Sequence, residues 1–233
     1  MRNGYRIGVV IPALNEAQAI SLVIGDIPDW VDQIVIGDNG STDETGAVAR
    51  AAGAETVRED ERGYGAACLA ALGRLGNIDI VVFLDGDYSD YPQDMYLLVD
   101  PVIADEADMV LASRSMGSRQ RGSVTLQQRF GNWLATFLIH RIWGTRYTDL
   151  GPFRAIRWDA LEALGMSDRN YGWTVEMQIK ALEKGLRVFE VPARYRRSIS
   201  KSKVSGTVKG AVMAGYKILS IIARHACRYW LKL

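Results

Sequence analysis

The 233-residue chain holds two cysteines and two histidines, and no apolar run near the ~20 residues that carry a helix across a bilayer. Cys68 and Cys227 lie far apart on expected helices, which excludes a disulfide framework and a Cys/His zinc site. That pattern fits a reducing, cytoplasmic setting. His140 and His225 both fall within helical patterns, which leaves a Ser/His/Asp hydrolase without a plausible base. The longest apolar candidate, Ile218-Leu219-Ser220-Ile221-Ile222-Ala223, is too short to span, so a membrane-crossing protein is not expected. Met1 to Gly4 leads directly into an expected strand, and no secretory leader is expected. Internal repeats and low-complexity tracts are absent.

Lysine is missing from residues 1–112, which carry 20 Asp and Glu against 6 Arg, a net of −14. Residues 113–233 carry 22 Lys and Arg against 7 acids, a net of +15. The overall charge of +1 therefore hides a split. Two readings of it stand: anionic partners for the second half, such as phosphates or a lipid surface, or halves that pack and neutralise each other.

The first half alternates strand and helix. Ile7–Ile11, Gln33–Gly37, Ala54–Val57, Ile78–Leu84 and Met109–Ala112 read as strands. Glu16–Ile27, Asp43–Ala52, Gly65–Leu75 and Met95–Ala104 read as helices, with Ser41, Thr42 and Asp43 available as caps. This rhythm predicts an α/β fold with a mostly parallel sheet flanked by helices. Beyond it, Leu126–Trp143 and Trp173–Lys184 read as helices, and Phe153–Ile156 and Val188–Pro192 as strands. Arg194–Gly206 is basic, serine-rich and loop-like, and a last amphipathic helix runs from about Thr207 to Lys232. The expected organisation is one domain over 1–206 followed by that helix over 207–233.

Asp85-Gly86-Asp87 closes the strand Ile78–Leu84, at the carboxyl edge where open α/β sheets bind ligands. The glycine lets a ligand approach the backbone. Carboxylates this close resist ionising together unless a cation shares them. Hard oxygen donors suit Mg²⁺ or Mn²⁺ carrying a diphosphate. A turn using Asp and Gly for backbone reasons is the other reading of the triplet alone.

Four segments together resemble the family 2 glycosyltransferases of the GT-A fold, especially the polyprenyl- or dolichyl-phosphate sugar synthases. They are Val10-Ile11-Pro12-Ala13-Leu14-Asn15-Glu16, Asp38-Asn39-Gly40-Ser41-Thr42-Asp43, the Asp85-Gly86-Asp87 triplet, and the basic stretch ending Ser200-Lys201-Ser202-Lys203. The resemblance spans roughly residues 5–206. It implies a nucleotide site built from Pro12, Ala13, Asn15, Glu16, Asp38, Asp85 and Gly86, with Asp38 at the base. It also implies Asp85 and Asp87 as ligands of a Mg²⁺ or Mn²⁺ ion, which offsets charge on the departing diphosphate. Arg114 matches an arginine that relatives place at the active site, a shape suited to phosphate. Arg197 and Lys203 fall in the loop that closes over phosphates in the lipid-phosphate synthases. Glu176 matches an acidic position near the acceptor. There it would serve as general base toward a hydroxyl, or orient basic residues if the acceptor is an ionised phosphate. A plain helix-surface acid beside Lys180 is the alternative.

Two positions depart from the family. Ser89 stands where relatives often carry Gln or His, and Gly151-Pro152-Phe153-Arg154 where many read Ser-Gly-Phe-Arg. The Gln-x-x-Arg-Trp signature of processive synthases is absent. The expectation is an inverting, metal-dependent transferase moving sugar from a UDP- or GDP-linked donor to a polyprenyl-phosphate. A soluble or glycolipid hydroxyl acceptor and a non-catalytic nucleotide-sugar binder are the alternatives. No nucleic-acid partner is expected. In the last helix Val208, Ala211, Val212, Leu219, Ile222 and Ala226 mark one face, and Lys209, Lys217, Arg224 and Arg228 the other. It either lies on an anionic membrane surface, giving a cytoplasmic protein peripheral to the inner face, or packs on the domain. The Trp133–Trp143 helix is a second membrane candidate.

Overall fold

Strand β1 (Ile7–Ala13) is buried along its whole length and sends its side chains alternately to two cores. Ile7, Val9, Ile11 and Ala13 enter one core and Val10 the other, as a period of two requires. Strand β4 (Ile80–Phe83) does the same, with Ile80 and Val82 on the first side and Val81 and Phe83 on the second. A sheet buried on both faces needs helices on both, which is the parallel α/β solution. The computed structural model describes residues 1–200 and 208–231 and builds that arrangement.

Five further strands are β2 (Gln33–Asp38), β3 (Glu55–Arg58), β5 (Met109–Ser113), β6 (Arg154–Arg157) and β7 (Val188–Pro192). The seven-stranded order is β3-β2-β1-β4-β6-β5-β7, and every strand but β6 runs the same way. The antiparallel β6 between β4 and β5 has no counterpart in the alternating pattern, because a four-residue strand does not carry its direction in its composition. Chain progression reverses between β1 and β4, so their carboxyl ends open a crevice at a topological switch point.

Helices α1 (Ile20–Gly25), α2 (Thr45–Ala51) and α4 (Tyr96–Ile103) cover one face. Helices α3 (Tyr64–Leu72), α5 (Leu126–Trp143), α6 (Trp158–Leu164), α7 (Trp173–Glu183) and α8 (Val208–Trp230) cover the other. The first helix begins four residues later than its pattern suggests. Asn15 takes a left-handed φ of 55°, and the Glu16 N–H donates to Thr45 Oγ1 (2.8 Å) rather than entering a helix. Helix α5 starts on a reciprocal cap, Thr125 with Gln128, and ends at Gly144 in the left-handed region. Helix α6 was not foreseen in the pattern.

Helix α8 packs against α5 and α7. Its buried stripe is Ile221, Ile222 and His225, whereas Val212 and Leu219 are exposed. Of the expected apolar face Ile222 is covered and Val212 and Leu219 are not, because neighbours α5 and α7 decide which residues are covered. Met213, Tyr216 and Trp230 are also exposed. On α5 the row Leu126, Phe130, Trp133 and Phe137 faces solvent, with the Trp133 and Phe137 rings stacked at 5.7 Å. Among the described residues no helix is long and apolar enough to cross a membrane.

Trp173 opens α7 and is 1% exposed, edge-on to Phe83 of β4 at 6.0 Å. Truncation there removes a ring that fixes α7 to the sheet. Trp173→Ala should cost about 3–5 kcal/mol of unfolding free energy in urea denaturation. A loss under about 1 kcal/mol would mean that the core collapses around the gap.

Candidate active site

The carboxyl ends of β1, β2 and β4 and the start of α3 enclose a cavity of about 430 Å³. Pro12, Ala13, Leu14 and Glu16 line it from the first segment, Asn39, Arg62, Gly63, Tyr64 and Ala67 from the side, and Asp85, Gly86 and Asp87 from β4. Asn170 and Tyr171 close it from the loop before α7. Of the expected nucleotide residues, Pro12, Ala13, Glu16, Asp85 and Gly86 meet here with Asp87.

Asn15 and Asp38 stand behind this wall. The Asn15 N–H donates to Ser41 Oγ (2.9 Å), and its Oδ1 accepts from the Thr42 N–H (2.8 Å), joining the first loop to the second. Asp38 Oδ1 accepts from the Ser41 N–H at 2.8 Å, so this carboxylate shapes its own turn. The next residue, Asn39, lines the cavity instead. Its amide donates to the Glu61 carbonyl (2.7 Å), and its Oδ1 accepts from the Gly63 N–H (2.8 Å). That bond pattern holds the loop bearing Arg62, whose Nη1 donates to the Asn39 carbonyl (3.1 Å).

Gly63 and Gly65 let the start of α3 abut the 168–170 loop. A Cβ on Gly63 would lie 2.0 Å from the Arg169 carbonyl oxygen, and one on Gly65 1.9 Å from that of Asp168. Arg169 in turn pairs with Glu61 (2.7 Å) and Glu59 (3.4 Å), tying the two side walls together. Tyr64, between the glycines, donates its hydroxyl to Asp85 Oδ1 at 3.0 Å. The short Gly63-Tyr64-Gly65 marks close packing of α3 on this wall.

Negative charge is concentrated at β4. Burial, then the neighbouring Asp87 charge, pushes the Asp85 carboxyl up to about 7; the Tyr64 hydroxyl and Arg114 pull it back down. Asp90 is buried, and its Oδ2 has no hydrogen-bond partner among the described residues. Burial, with Asp85 and Asp87, drives its carboxyl far above the ordinary range. Among the described residues no three acidic, His or Cys side chains converge as a ready-made metal cage. The donor set still fits a hard divalent cation that completes its shell with diphosphate and water, as Mg²⁺ and Mn²⁺ commonly do. Asp85 and Asp87 are the residues that would hold it.

Arg114 does not line the cavity. Its Nε and Nη2 form a fork on Asp149 at 2.7 and 2.6 Å, its backbone N–H donates to the same carboxylate, and its guanidinium lies 5.2 Å from the Tyr195 ring. It acts on Asp85 and Asp90 through its field rather than by contact. Asp149 was invisible in the sequence, because only the fold brings its loop to β5. Glu190 holds that loop, accepting from the Thr148 and Asp149 N–H groups at 2.8 and 3.1 Å.

The basic segment after β7 zips onto the triplet loop. The Arg196 N–H donates to the Ser89 carbonyl (2.9 Å) and the Ile199 N–H to the Asp87 carbonyl (3.1 Å). The Arg196 guanidinium lies 3.3 Å from the centre of the Tyr88 ring and 4.3 Å from that of Tyr91. Arg197 turns away and donates to the Arg121 carbonyl at 2.7 and 2.9 Å. Lys203 lies outside the described residues.

Glu176, read either as an acid on the acceptor side or as a plain acid beside Lys180, is buried on α7 and meets Lys180. Its carboxylate accepts from the Ser167 hydroxyl (2.7 Å) and the Asp168 N–H (2.7 Å) and pairs with Lys180 (2.8 Å). It borders a separate cavity beside α8 and holds a loop in place.

The two influences on Asp85 predict shifts of opposite sign. Tyr64→Phe removes a donor to the carboxylate and should raise the Asp85 titration above about 7. Asp87→Ala removes a like charge and should lower it. Carbon-13 NMR of the Asp85 carboxyl in metal-free protein reads both, and shifts of the same sign would refute this account of the site.

The Glycosyl transferase family 2 model matches residues 8–165. An uncharacterised glycosyltransferase of Mycobacterium tuberculosis is 32% identical over 216 residues, covering 91% of this chain and 95% of the relative. The undecaprenyl-phosphate mannosyltransferase of Micrococcus luteus is 28% identical, covering 94% and 96%. The polyprenol monophosphomannose synthase of Mycolicibacterium smegmatis is 30% identical, covering 89% and 84%. Among solved structures, the Mycobacterium tuberculosis glucosyl-3-phosphoglycerate synthase with Mn²⁺, UDP and product superposes with a TM-score of 0.78. That match has 23% identity and covers 96% of this chain and 80% of that one. The sheet with its switch-point cavity is the GT-A fold, and the chain belongs to the family 2 glycosyltransferases.

Proposed function

We propose that this glycosyltransferase moves a sugar, with inversion, from a nucleoside-diphosphate sugar to a polyprenyl-phosphate at a membrane surface, with Mg²⁺ or Mn²⁺ at Asp85 and Asp87. The observation that carries the donor half is the cavity whose floor is Asp85-Gly86-Asp87 at the β1/β4 switch point. Pro12 to Leu14, Asn39 and Arg62 form the wall for the base and ribose. The diphosphate lies toward Asp85 and Asp87, under the segment that Arg196 and Ile199 fasten to the triplet loop.

In the reaction the bond between the anomeric carbon and the diphosphate oxygen breaks, and one forms to an acceptor oxygen on the opposite face. The electron pair leaves with the nucleoside diphosphate. A bound divalent cation supplies charge neutralisation for that leaving group. The residues of the chain hold the donor, exclude water and set the field. Arg114, fixed by Asp149, offsets part of the carboxylate charge without entering the cavity.

The acceptor half rests on three supports. A phosphate is already ionised and needs no general base, which agrees with a Glu176 fully committed to Ser167, Asp168 and Lys180. Two relatives aligned over at least 84% of their length are named an undecaprenyl-phosphate mannosyltransferase and a polyprenol monophosphomannose synthase. The exposed aromatic row of α5 is suited to a bilayer interface, where ring bodies bury and basic side chains meet anionic headgroups.

Nucleotide-sugars should be screened for diphosphate release with and without a short polyprenyl-phosphate, in Mn²⁺, Mg²⁺ or EDTA. Release should require both lipid and metal. Asp87→Ala should reduce it roughly a hundredfold or more while leaving the melting temperature near wild type. Full activity in EDTA would remove the metal from this proposal. Equal transfer to a soluble sugar hydroxyl would replace the lipid acceptor.

A further inference from the structure

Helix α8 meets the loop behind the donor cavity through two side chains one turn apart. Lys217 Nζ lies 2.8 Å from Asp168 Oδ2. Ile221, four residues on and so on the same face, presses on Gly172: a Cβ there would lie 1.8 Å from Ile221 Cδ1. Asp168 and Gly172 bracket Asn170 and Tyr171, which form the cavity's far wall.

The same Asp168 carboxylate sets the shape of that wall. Its Oδ1 accepts from the Asn170 N–H (2.8 Å) and the Gly172 N–H (3.0 Å), while Oδ2 takes the lysine. Glu176 holds the base of the loop by accepting from the Ser167 and Asp168 N–H groups. On its other side, the loop accepts from α3: the Ala66 N–H donates to the Arg169 carbonyl (2.9 Å) and the Gly65 N–H to that of Asn170 (3.3 Å). The loop is therefore clamped between the start of α3, which carries Tyr64 and its bond to Asp85, and α8.

We propose that α8 is a brace for the donor site, and that Lys217 is a positioning residue that sets nucleotide affinity through Asp168 and the Asn170–Tyr171 wall. This rests on the cavity being the nucleotide site, as proposed above. Lys217 is far from needing to touch the donor, because its ammonium is spent on Asp168. Losing it frees one oxygen of a carboxylate that is 6% exposed and relaxes the turn that aims Asn170 and Tyr171. Ground-state binding then weakens, whereas the field at Asp85 and Asp87 is untouched. Donor KM and nucleoside-diphosphate Kd should rise together with kcat preserved, the pattern of a lost uniform binding contact.

The test uses the full chain, UDP and GDP with Mn²⁺ as probes, and calorimetric titration beside steady-state kinetics. Lys217→Met should weaken binding of whichever nucleotide the wild type takes by roughly two- to thirtyfold. Its kcat at saturating donor should stay within about twofold, and Lys217→Arg should recover most of the affinity. Gly172→Ala attacks the same wall through Ile221 and should weaken binding in the same way. Arg228→Met removes a cation that borders the same side cavity but has no ion pair with the loop among the described residues, and should change nothing. Unchanged affinity in both Lys217→Met and Gly172→Ala overturns the brace, as does equal weakening by Arg228→Met, which would reduce the effect to net charge. A fall in kcat with KM preserved also overturns it. A wild type that binds neither nucleotide overturns the donor-site reading itself, an outcome distinct from the others.

Discussion

Carboxyl groups crowded at the end of β4 set the terms for the structure around them. Asp85, Asp87 and Asp90 fall within six residues, and burial beside like charge makes the charges of Asp85 and Asp90 harder to hold. The fold answers with partial counterweights rather than full neutralisation. Tyr64 donates to Asp85, Arg114 contributes field from behind Asp149, and Arg196 caps the carbonyls of Tyr88 and Asp90. A deficit remains, and it faces the cavity. A site that is short of positive charge when empty favours ligands that bring a divalent cation with them, which is how a nucleoside diphosphate travels. The cost of that deficit falls on the empty protein, as strained electrostatics do at functional sites.

The position of the deficit follows from topology more than from any single residue. Chain reversal between β1 and β4 leaves their carboxyl ends without a crossing connection, so Ala13 and Asp85 border open space. Loops from β2, α3 and α7 then wall it in, each held by its neighbour: Asn39 holds the Arg62 loop, Arg169 bridges to Glu61, and Asp168 shapes the turn to Gly172. Few of these bonds touch the cavity itself. Their work is to keep backbone segments close, and the glycines at 63 and 65 are where that closeness leaves no room for a side chain.

This division explains what could be read in the sequence. Strand ends carry their chemistry locally, so Pro12-Ala13, Glu16 and Asp85-Gly86-Asp87 were identifiable from short motifs, and the alternating pattern gave the parallel sheet. Positions whose role depends on a partner far along the chain were not. Asp149 is an ordinary loop acid until β5 and β6 bring it to Arg114. Glu176 sits in an acceptor-like motif, and three of its bonds go to its own supporting loop and a fourth to Lys180. Helix α8 offered an apolar face by periodicity, but its buried stripe is the one that α5 and α7 happen to cover. The antiparallel β6 belongs to the same class, since strand direction is set by where the chain has already been laid down.

The split of charge between the halves of the chain resolves into two separate roles. Much of the basic second half pairs with the acidic first half: Arg194 with Asp94, Arg187 and Arg157 with Asp105 and Asp108, Arg169 with Glu59 and Glu61, and Arg196 with Asp26. These pairs are mostly solvent-exposed, so each adds little stability. Their value lies in register, because they join late segments of the chain to the rim of a sheet made from early ones. The remainder is distributed differently. Among the described residues Arg129 and Arg141 on α5, and Arg224 and Arg228 on α8, have no carboxylate partner, and they share those helices with the exposed aromatic and aliphatic residues. Cations spent on the sheet rim tie the segments around the switch-point cavity together, whereas those left on α5 and α8 stand on helices with large uncovered apolar side chains. The excess is thus concentrated where a surface of opposite charge and amphipathic character would be met, and α8 carries it while its other face meets the loop that walls the switch-point cavity.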